Sequence, residues 1–442
     1  MRADPAAAEP APAVAPAPTV RIEDPSGRAL AAFHEALRRA RARKAQVRLL
    51  FFGASHTASD IYTGVIRREL QRRFGDAGHG FVMPARPWTQ YRHEDIGVES
   101  TNTWHTDRVG KPDDRADGWY GLAGMSVSSA SRKDYGRIRT VKNGPVGRRV
   151  GRFELFYLKQ PSGGTLAIRV DGRRVRRVRT ASDRFELGYE TIRVRDRGHT
   201  FEVRPEGDGE VRLFGVVLER SVPGVVVDTL GIPGARARDI LAWNPDVWRE
   251  HLQRRKPDLV VLAYGTNESG DDEVPIAQYE AELREVLRRL RAAVPEASCL
   301  LIGPSDRPIR FADGTLAPRP RTEQIAEVQR RVASESGCGF FDLVAFTGGP
   351  MSLVEWAQAD PPLAQPDLVH FTRAGYERLG RALLTALLRG CACGESPEKR
   401  HRRYIRQGFH RARVRGRGRD RVRARPGPGS GVRSPESGVR LL

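Results

Sequence analysis

The chain has 442 residues and a formal net charge of +21, and its length is sufficient for two or three domains with substantial hydrophobic cores. Much of the positive charge lies between Pro397 and Leu442, where 15 Lys or Arg residues accompany 3 Asp or Glu residues. The net charge is therefore mainly a property of the C-terminal end, and it does not indicate a specific nucleic-acid site. No run of 18 apolar residues is present, which excludes a predicted membrane-spanning helix.

Both ends of the chain are predicted to be disordered. Residues 1–25 are rich in Ala and Pro, as is typical of a flexible extended leader, and they lack the apolar core of a signal peptide. Residues 393–442 are rich in Arg, Gly and Pro and cannot bury enough apolar surface to order themselves. This tail could bind polyanions weakly, but a solvated tail is the simpler interpretation.

Helical and strand-like patterns alternate along most of the chain between its two ends. An amphipathic helix is predicted from Ser26, with Leu30, Phe33 and Leu37 at helical spacing on one face. Five short apolar runs typical of strands covered on both faces are Val47–Gly53, Gly224–Gly231, Asp258–Gly265, Ser298–Ser305 and Cys338–Leu343. Helical patterns follow at about Ala58–Phe74, Ala235–Arg255, Ala277–Val294, Thr322–Ser336 and Thr372–Arg389. The alternation predicts an α/β domain with a parallel sheet and helices on both sides.

The segment between Phe74 and Gly224 breaks this rhythm, because it has no helical period and is rich in β-forming residues. Asp171-Gly172 lies between two strand-like runs and indicates a hairpin with a type I′ turn. We therefore predict an antiparallel β-sandwich or jelly roll inserted after the first helix of the α/β domain. The predicted organisation is a leader (1–25), the first part of the α/β domain (26–84), the inserted β-sandwich (85–222), the second part of the α/β domain (223–392) and the tail (393–442).

Polar residues follow the predicted strands at the sheet edge where ligands bind in parallel α/β proteins. Ser55 comes at the first strand-to-helix turn, where its hydroxyl could attack a carbonyl or simply cap the helix. Asp367 and His370 lie on the loop before the last helix, and an Asp at this spacing can orient a His that acts as a general base. Each fragment is weak alone, but together they indicate a hydrolase with a Ser–His–Asp triad.

Two further loops could stabilise an oxyanion. Gly234 opens a predicted helix after Gly231-Ile232-Pro233, so its amide could point at an anion, although an ordinary tight turn also fits. Asn267 follows the third apolar run, and its side-chain amide could donate to an oxyanion, although a turn Asn is common. We expect the Ser55 amide, Gly234 and Asn267 to form the oxyanion hole.

Three other polar or aromatic residues near these loops are predicted to have structural roles. His56 could compete with His370 as the base, but adjacent residues generally point apart, so a structural or substrate-contacting role is favoured. Trp88 and Tyr91 could stack on a sugar, although loop aromatics more often anchor the loop.

The four cysteines are not predicted to bind a metal. Cys299 and Cys338 lie in apolar runs and are predicted to be buried thiols, and Cys391 and Cys393 lack the spacing of a zinc site. We predict no metal and no cofactor.

The chain resembles the SGNH (GDSL-type) hydrolases, whose four motif blocks carry Ser, Gly, Asn and His. The contexts Ser55–Ala58, Gly231–Ala235 and Gly265–Glu268 are most similar to peptidoglycan O-acetylesterases, which also carry a carbohydrate-binding-module-like β-domain between the first two blocks. The resemblance implies a flavodoxin-like three-layer sandwich with a five-stranded parallel sheet. One departure is Ala54, where the family usually has Asp.

The resemblance implies a serine esterase that removes O-acetyl groups from a polysaccharide such as peptidoglycan through an acyl-enzyme on Ser55. An O-acetyltransferase using the same intermediate and a catalytically impaired glycan-binding protein stay open as alternatives. The expected partner is an O-acetylated glycan. The family acts in the periplasm or outside the cell, and the absence of a visible signal peptide is a second departure.

Overall fold

The computed structural model describes residues 20–112 and 114–391, and the structural statements below concern these residues. The chain divides into two units, residues 1–393 and 394–442, and every described residue belongs to the first. The predicted tail and the first 19 residues of the predicted leader lie outside the described residues. The end of the predicted leader differs from the expectation of disorder, because the backbone of Glu23 exchanges hydrogen bonds of 2.8 and 2.9 Å with Phe340.

Helices surround a central sheet. The α-helices of the described residues are α1 (Ala31–Arg41), α2 (Ser55–Ala58), α3 (Ile61–Phe74), α4 (Pro245–Arg255), α5 (Ile276–Ala293), α6 (Pro320–Glu335), α7 (Leu343–Thr347), α8 (Ser352–Gln358) and α9 (Arg373–Leu388). Short 3-10 helices cover Ala237–Ala242 and Glu268–Gly270. None of these helices is long and apolar enough to cross a membrane.

The strands form one parallel sheet and three antiparallel ones. They are β1 (Gln46–Gly53), β2 (Gly80–Val82), β3 (Ile96–Ser100), β4 (His105–Arg108), β5 (Met125–Ser129), β6 (Gly136–Thr140), β7 (Val150–Lys159), β8 (Thr165–Val170), β9 (Arg173–Arg179), β10 (Glu186–Arg197), β11 (Thr200–Pro205), β12 (Val211–Glu219), β13 (Gly224–Gly231), β14 (Leu259–Ala263), β15 (Ser298–Ile302), β16 (Ile309–Arg310), β17 (Leu316–Ala317) and β18 (Gly339–Phe341). The last hairpin, β16–β17, stands apart from the larger sheets.

The parallel sheet has the order β13-β1-β14-β15-β18, which is the flavodoxin-like order: the second strand lies on one side of β1 and the later strands are added on the other side. Side chains of β1 alternate between its two faces: Leu49 and Phe51 pack with α1, α3 and α9, whereas Leu50 and Phe52 lie in the core on the other side. The apolar runs are nearly continuous because both faces of these strands are buried. The predicted fold class, an SGNH-type α/β sandwich with extra all-β sheets, is confirmed.

Two antiparallel sheets are formed mainly by the segment predicted as an insertion, in the orders β10-β7-β12-β5-β4 and β3-β6-β11-β8-β9; β2, which precedes that segment, also pairs with β12. The predicted β8–β9 hairpin is confirmed, and Asp171 and Gly172 have φ values of 51° and 79°, as a type I′ turn requires. These sheets share a hydrophobic core with one face of the parallel sheet, where Phe52 and Phe156 belong to the same buried cluster. The division into a hydrolase domain and a separate β-domain therefore stays a prediction.

One predicted helix differs from the structure in detail, and another agrees closely. The pattern over Ala235–Arg255 is interrupted, because the Asn244 side chain accepts from the amides of Asp246 and Val247 and Pro245 follows at the first helical position, so α4 starts there. The last helix agrees closely with its prediction. The Thr372 hydroxyl accepts from the amide of Gly375, and Gly390 has a φ of 75° after the helix.

The expectation of two buried thiols was wrong. Cys299 and Cys338 are both buried, but their sulfur atoms form a disulfide, with a Cα–Cα distance of 4.6 Å. Leu300 pairs with Gly339, so the two cysteines are the preceding residues at the start of neighbouring parallel strands. The pairing depends on strand order and register, which a single cysteine's local context does not reveal.

Candidate active site

Ser55 is the first residue of α2, and a single residue, Ala54, separates it from the carboxyl end of β1. The loop is tightly packed against the end of β13: the amide of Ile232 donates to the carbonyl of Gly53 at 2.9 Å. A Cβ on Gly231 would lie 2.2 Å from the Ala58 nitrogen, so glycine is required for this approach. The close packing brings the first two predicted loops together.

Asp367 and His370 lie on the loop that precedes α9, and this loop reaches Ser55. His370 Nε2 lies 2.8 Å from Ser55 Oγ, and His370 Nδ1 lies 2.7 Å from Asp367 Oδ2. The other Asp367 oxygen accepts from the amides of Val369 and His370 at 3.0 and 2.9 Å. Leu368, which is buried, has a φ of 55°. This backbone turn between Asp367 and His370 lets their side chains meet.

The hydrogen bonds define the proton positions at this site. Partial burial would raise the pKa of Asp367, but the hydrogen bonds from the side chain and backbone of His370 and from Val369 lower it below its usual range. An ionised Asp367 only accepts, so His370 Nδ1 carries the proton and Nε2 presents its lone pair to the Ser55 hydroxyl. The arrangement can deprotonate Ser55 as it attacks an electrophile.

Gly234 and Asn267 come from the ends of β13 and β14, two strands that flank β1. Gly234 has a φ of 73°, a backbone conformation that favours glycine. Asn267 Nδ2 donates to the carbonyl of Ala235 at 2.8 Å, so one of its two N–H groups is used to join these loops. No acceptor for the second N–H is found among residues 20–112 and 114–391.

Glu268 is a buried carboxylate that the sequence analysis did not single out. One of its oxygens accepts from the amide of Ala237 at 2.8 Å and the other from the amide of Gly265 at 2.9 Å. Burial raises the pKa of Glu268, although the backbone donors oppose that shift. Glu268 thus ties the Gly234 loop to the Asn267 loop, and its place directly after Asn267 was the available signal.

We expect Glu268→Gln to lower kcat by about tenfold or more and the free energy of unfolding by about 1–3 kcal/mol, because the amide presents an N–H₂ group to one of two backbone donors. Ester hydrolysis kinetics and chemical denaturation measure the two effects. Glu282→Gln, on the exposed part of α5, is the matched control and should change neither quantity. A Glu268→Gln enzyme with unchanged kcat would remove this residue from the support of the site.

His56 is buried and does not hydrogen-bond to Ser55. Its ring nitrogens lie 2.9 Å from the Tyr376 hydroxyl and 3.2 Å from the Ser305 hydroxyl. Burial, with the nearby His370, lowers the pKa of His56 to about 3, so the ring is neutral. These contacts agree with the structural role favoured for His56.

Tyr91 anchors its loop, since its hydroxyl accepts from the amide of Met83 at 2.9 Å.

Ala54 is the N-cap of α2, is 5 % exposed and provides no side-chain cap. We expect Ala54→Asp to keep kcat within about threefold of wild type, because a carboxylate there can accept from the unpaired amides of the first helical turn. Steady-state kinetics and thermal unfolding test this expectation, with Ala54→Leu as an overpacked control. A folded Ala54→Asp enzyme with a much lower kcat would show that the loop is adapted to Ala.

One group in the described residues has the composition of a metal site. Ligand atoms of Asp60, His79 and His93 lie within 4.8 Å of one another, and His93 Nδ1 is 3.2 Å from His79 Nε2. Arg67 donates to both Asp60 oxygens at 3.0 and 2.7 Å, so a cation here would lie beside a guanidinium group. Burial lowers the pKa of His93 to about 4 and also lowers that of His79. We interpret the group as a hydrogen-bonded cluster of neutral histidines around a buried ion pair.

Residues 198–378 match the model of the GDSL-like lipase/acylhydrolase family. The match includes Gly234, Asn267, Asp367 and His370, whereas Ser55 lies outside it. No curated protein matches the chain.

Among solved structures, one described as a peptidoglycan O-acetylesterase has a TM-score of 0.68 and 24 % identity over 82 % of this chain and 97 % of that one. An acetyl xylan esterase has a TM-score of 0.28 and 17 % identity, covering 37 % of this chain and 80 % of that one. A family two carbohydrate esterase from Cellvibrio japonicus has a TM-score of 0.28 and 11 % identity, covering 72 % of this chain and 99 % of that one. Only the first likeness bears on the fold, whereas the family match by itself indicates an acylhydrolase.

Proposed function

We propose that this chain, which has the SGNH hydrolase fold and resembles peptidoglycan O-acetylesterases, is a serine esterase that removes O-acetyl groups from a polysaccharide such as peptidoglycan. The observation that carries the proposal is the continuous hydrogen-bonded line from Asp367 through His370 to Ser55. Such a line converts a weakly nucleophilic hydroxyl into an attacking group.

In the proposed acylation step, Ser55 Oγ forms a bond to the acetyl carbonyl carbon while His370 Nε2 takes the hydroxyl proton. Asp367 keeps the imidazole in the required tautomer and stabilises its positive charge. The tetrahedral intermediate then expels the sugar oxygen, which receives the proton from His370. The products of this step are an acetyl ester on Ser55 and a free sugar hydroxyl.

In the proposed deacylation step, a water molecule attacks the acetyl-enzyme, and His370 acts first as base and then as acid, returning the proton to Ser55. The amides of Ser55 and Gly234 and the free N–H of Asn267 would stabilise the negative oxygen in both steps. The position of Ser55 at the start of α2 supports this role, because the first amides of a helix lack partners within the helix.

The choice of an acetylated glycan as substrate depends on the likeness to the peptidoglycan O-acetylesterase structure. We also propose that the protein acts outside the cytoplasm. The Cys299–Cys338 disulfide supports this location, because disulfides persist mainly in oxidising compartments.

The direct test is acetate release from O-acetylated peptidoglycan, combined with a mass-spectrometric search for an acetyl adduct on the peptide containing Ser55. Ser59→Ala is a matched control, since Ser59 lies on the next turn and its hydroxyl donates to the carbonyl of His56. We expect acetate release and the adduct to disappear in Ser55→Ala and to persist in Ser59→Ala.

Each alternative has its own outcome in the same assay. An adduct whose acetyl group passes to an added glycan acceptor more readily than to water would indicate an O-acetyltransferase. Glycan binding without an adduct or acetate release would indicate a binding protein and would contradict the proposed hydrolysis.

A further inference from the structure

The positive charge of the described part of the chain is concentrated in one segment. Residues 85–222 carry 27 Lys or Arg residues and 19 Asp or Glu residues, and residues 397–442 carry 15 basic and 3 acidic residues. All other residues together carry 33 basic and 32 acidic residues, so they are almost neutral overall. The basic character outside the tail is therefore a property of the antiparallel sheets.

Strand β9 has the highest local density of this charge. It contains five arginines in seven residues, and only Val178 of the strand is buried. The strand is the edge of its sheet and pairs only with β8, so its other side is open. In the described residues, Arg173 and Arg179 have no carboxylate partner, whereas Arg176 pairs with Glu190 at 2.9 Å.

Two shallow grooves of about 600 and 700 Å³ flank β9. Nine arginines and three carboxylates line them together. We call this combined area the β9 surface. Its first groove includes Arg132, Arg169, Arg174, Arg177 and Arg204. Its second groove includes Arg173, Arg176, Arg193 and Arg197, with Val175 exposed among them.

The carboxylates in and beside the first groove neutralise only part of its arginine charge, since Arg204 pairs with Glu202 at 2.6 Å and Glu206 is shared. Both Asp208 oxygens accept from Thr165, at 2.7 and 2.6 Å. Glu206 pairs with Arg177 and lies 3.9 Å from Arg174. The Nε atom of Arg169 is buried without a hydrogen-bond partner among the described residues, although a buried donor normally has one. The groove therefore holds an excess of guanidinium groups and one unused donor.

We propose that the β9 surface binds an acidic polysaccharide and that its arginines pair with the carboxylate groups of the polymer. A guanidinium group presents two parallel N–H donors to a carboxylate, and an extended row of them matches the repeating charge of a polymer. The lining of the two grooves contains no aromatic side chain on which nucleic-acid bases could stack, which favours a glycan over a single-stranded nucleic acid. The choice of a glycan as the bound polymer also rests on the proposed function. The inference that the surface binds a polyanion rests only on its charge.

Arginines on an edge strand have another known effect, because they prevent pairing with the edge of a second molecule. That effect needs no ligand and predicts that removing the charge leaves glycan affinity unchanged. The two explanations are separated by measuring binding.

The experiment compares two triple variants of the full-length chain, which keep the same tail. The test variant carries Arg174→Gln, Arg176→Gln and Arg177→Gln, whose side chains are 59 %, 54 % and 58 % exposed. The control carries Arg72→Gln, Arg288→Gln and Arg381→Gln on exposed helix faces, with the same loss of charge. Affinity for polygalacturonate is measured by calorimetry at low and at physiological ionic strength, with neutral dextran and a single-stranded oligonucleotide as comparisons.

We expect the test variant to lose about tenfold in affinity for polygalacturonate at low ionic strength and the control to lose less than about twofold, with a weaker salt dependence only in the test variant. Equal losses in both variants, no loss in the test variant, or a loss confined to the oligonucleotide would each overturn the proposal. Hydrolysis of a small chromogenic acetyl ester should be unchanged in both variants. If that hydrolysis does not depend on Ser55, the proposed function fails while the binding result still stands.

Discussion

Replacing Ser55 or His370 with Ala is expected to lower kcat for acetyl ester hydrolysis by about 10⁴-fold or more, and the double variant should be little worse than either single one. The reason is that the hydroxyl and the imidazole act as one unit: either group alone cannot form and resolve the acyl-enzyme. The 2.8 Å contact between His370 Nε2 and Ser55 Oγ is the structural basis of this expectation. Stopped assays at saturating substrate, with circular dichroism to establish folding, measure the effect.

The competing base at this site is His56, and it provides the decisive comparison. His56→Gln should disturb the contacts with Tyr376 and Ser305 and reduce kcat far less than His370→Ala does. If His370→Ala kept near-normal turnover while the His56 variant lost it, the assignment of the base would be wrong. Strictly additive losses in the Ser55 and His370 double variant would also contradict a shared mechanism.

Asn267→Ala is expected to lower kcat by about 10²–10³-fold with little change in KM, because its free N–H would act mainly on charge that develops in the transition state. The same substitution removes the 2.8 Å hydrogen bond to Ala235, so the loop that carries Gly234 also loses a fixed contact. Asn267→Asp should be at least as harmful, since a carboxylate would repel both the oxyanion and the Ala235 carbonyl. Steady-state kinetics on a chromogenic acetyl ester separate kcat from KM.

Asn244→Ala is the matched control for this substitution. Asn244 caps α4 through its side-chain oxygen, so its loss should lower the free energy of unfolding by about 1 kcal/mol without changing kcat. An Asn267→Ala enzyme that folds and keeps the wild-type kcat would exclude Asn267 from oxyanion stabilisation.

The parallel sheet could be predicted from the sequence because its signals are local. A strand buried on both faces requires a nearly continuous apolar run, and the run Val47–Gly53 agrees with β1 within one residue. The type I′ hairpin was equally visible, since Asp171-Gly172 is a pair that tolerates positive φ at both positions. Helices α7 and α8 were missed because five and seven residues are too few to establish a helical period.

The site was predictable in part for a related reason. Side chains at the carboxyl edge of a parallel sheet follow the apolar runs closely in sequence, so Ser55 and Asn267 could be placed as candidates from their neighbours alone. The support of the site was not predictable in this way. Glu268 binds two amides from different loops, and His56 bridges α2 and α9, so their roles depend on contacts between segments far apart in the chain.

The sequence by itself determined the alternation of the main parallel strands and helices along the chain, the Asp171-Gly172 turn and the candidate reactive groups, because these depend on burial periodicity and on backbone preferences of nearby residues. Only the tertiary structure decided which groups touch. It joined Cys299 to Cys338 through strand register, set His370 rather than His56 against Ser55, and gathered arginines from β8, β9, β10 and β11 around one sheet edge. Such contacts follow from how the sheets stack and how the loops close, and these depend on packing across the whole core.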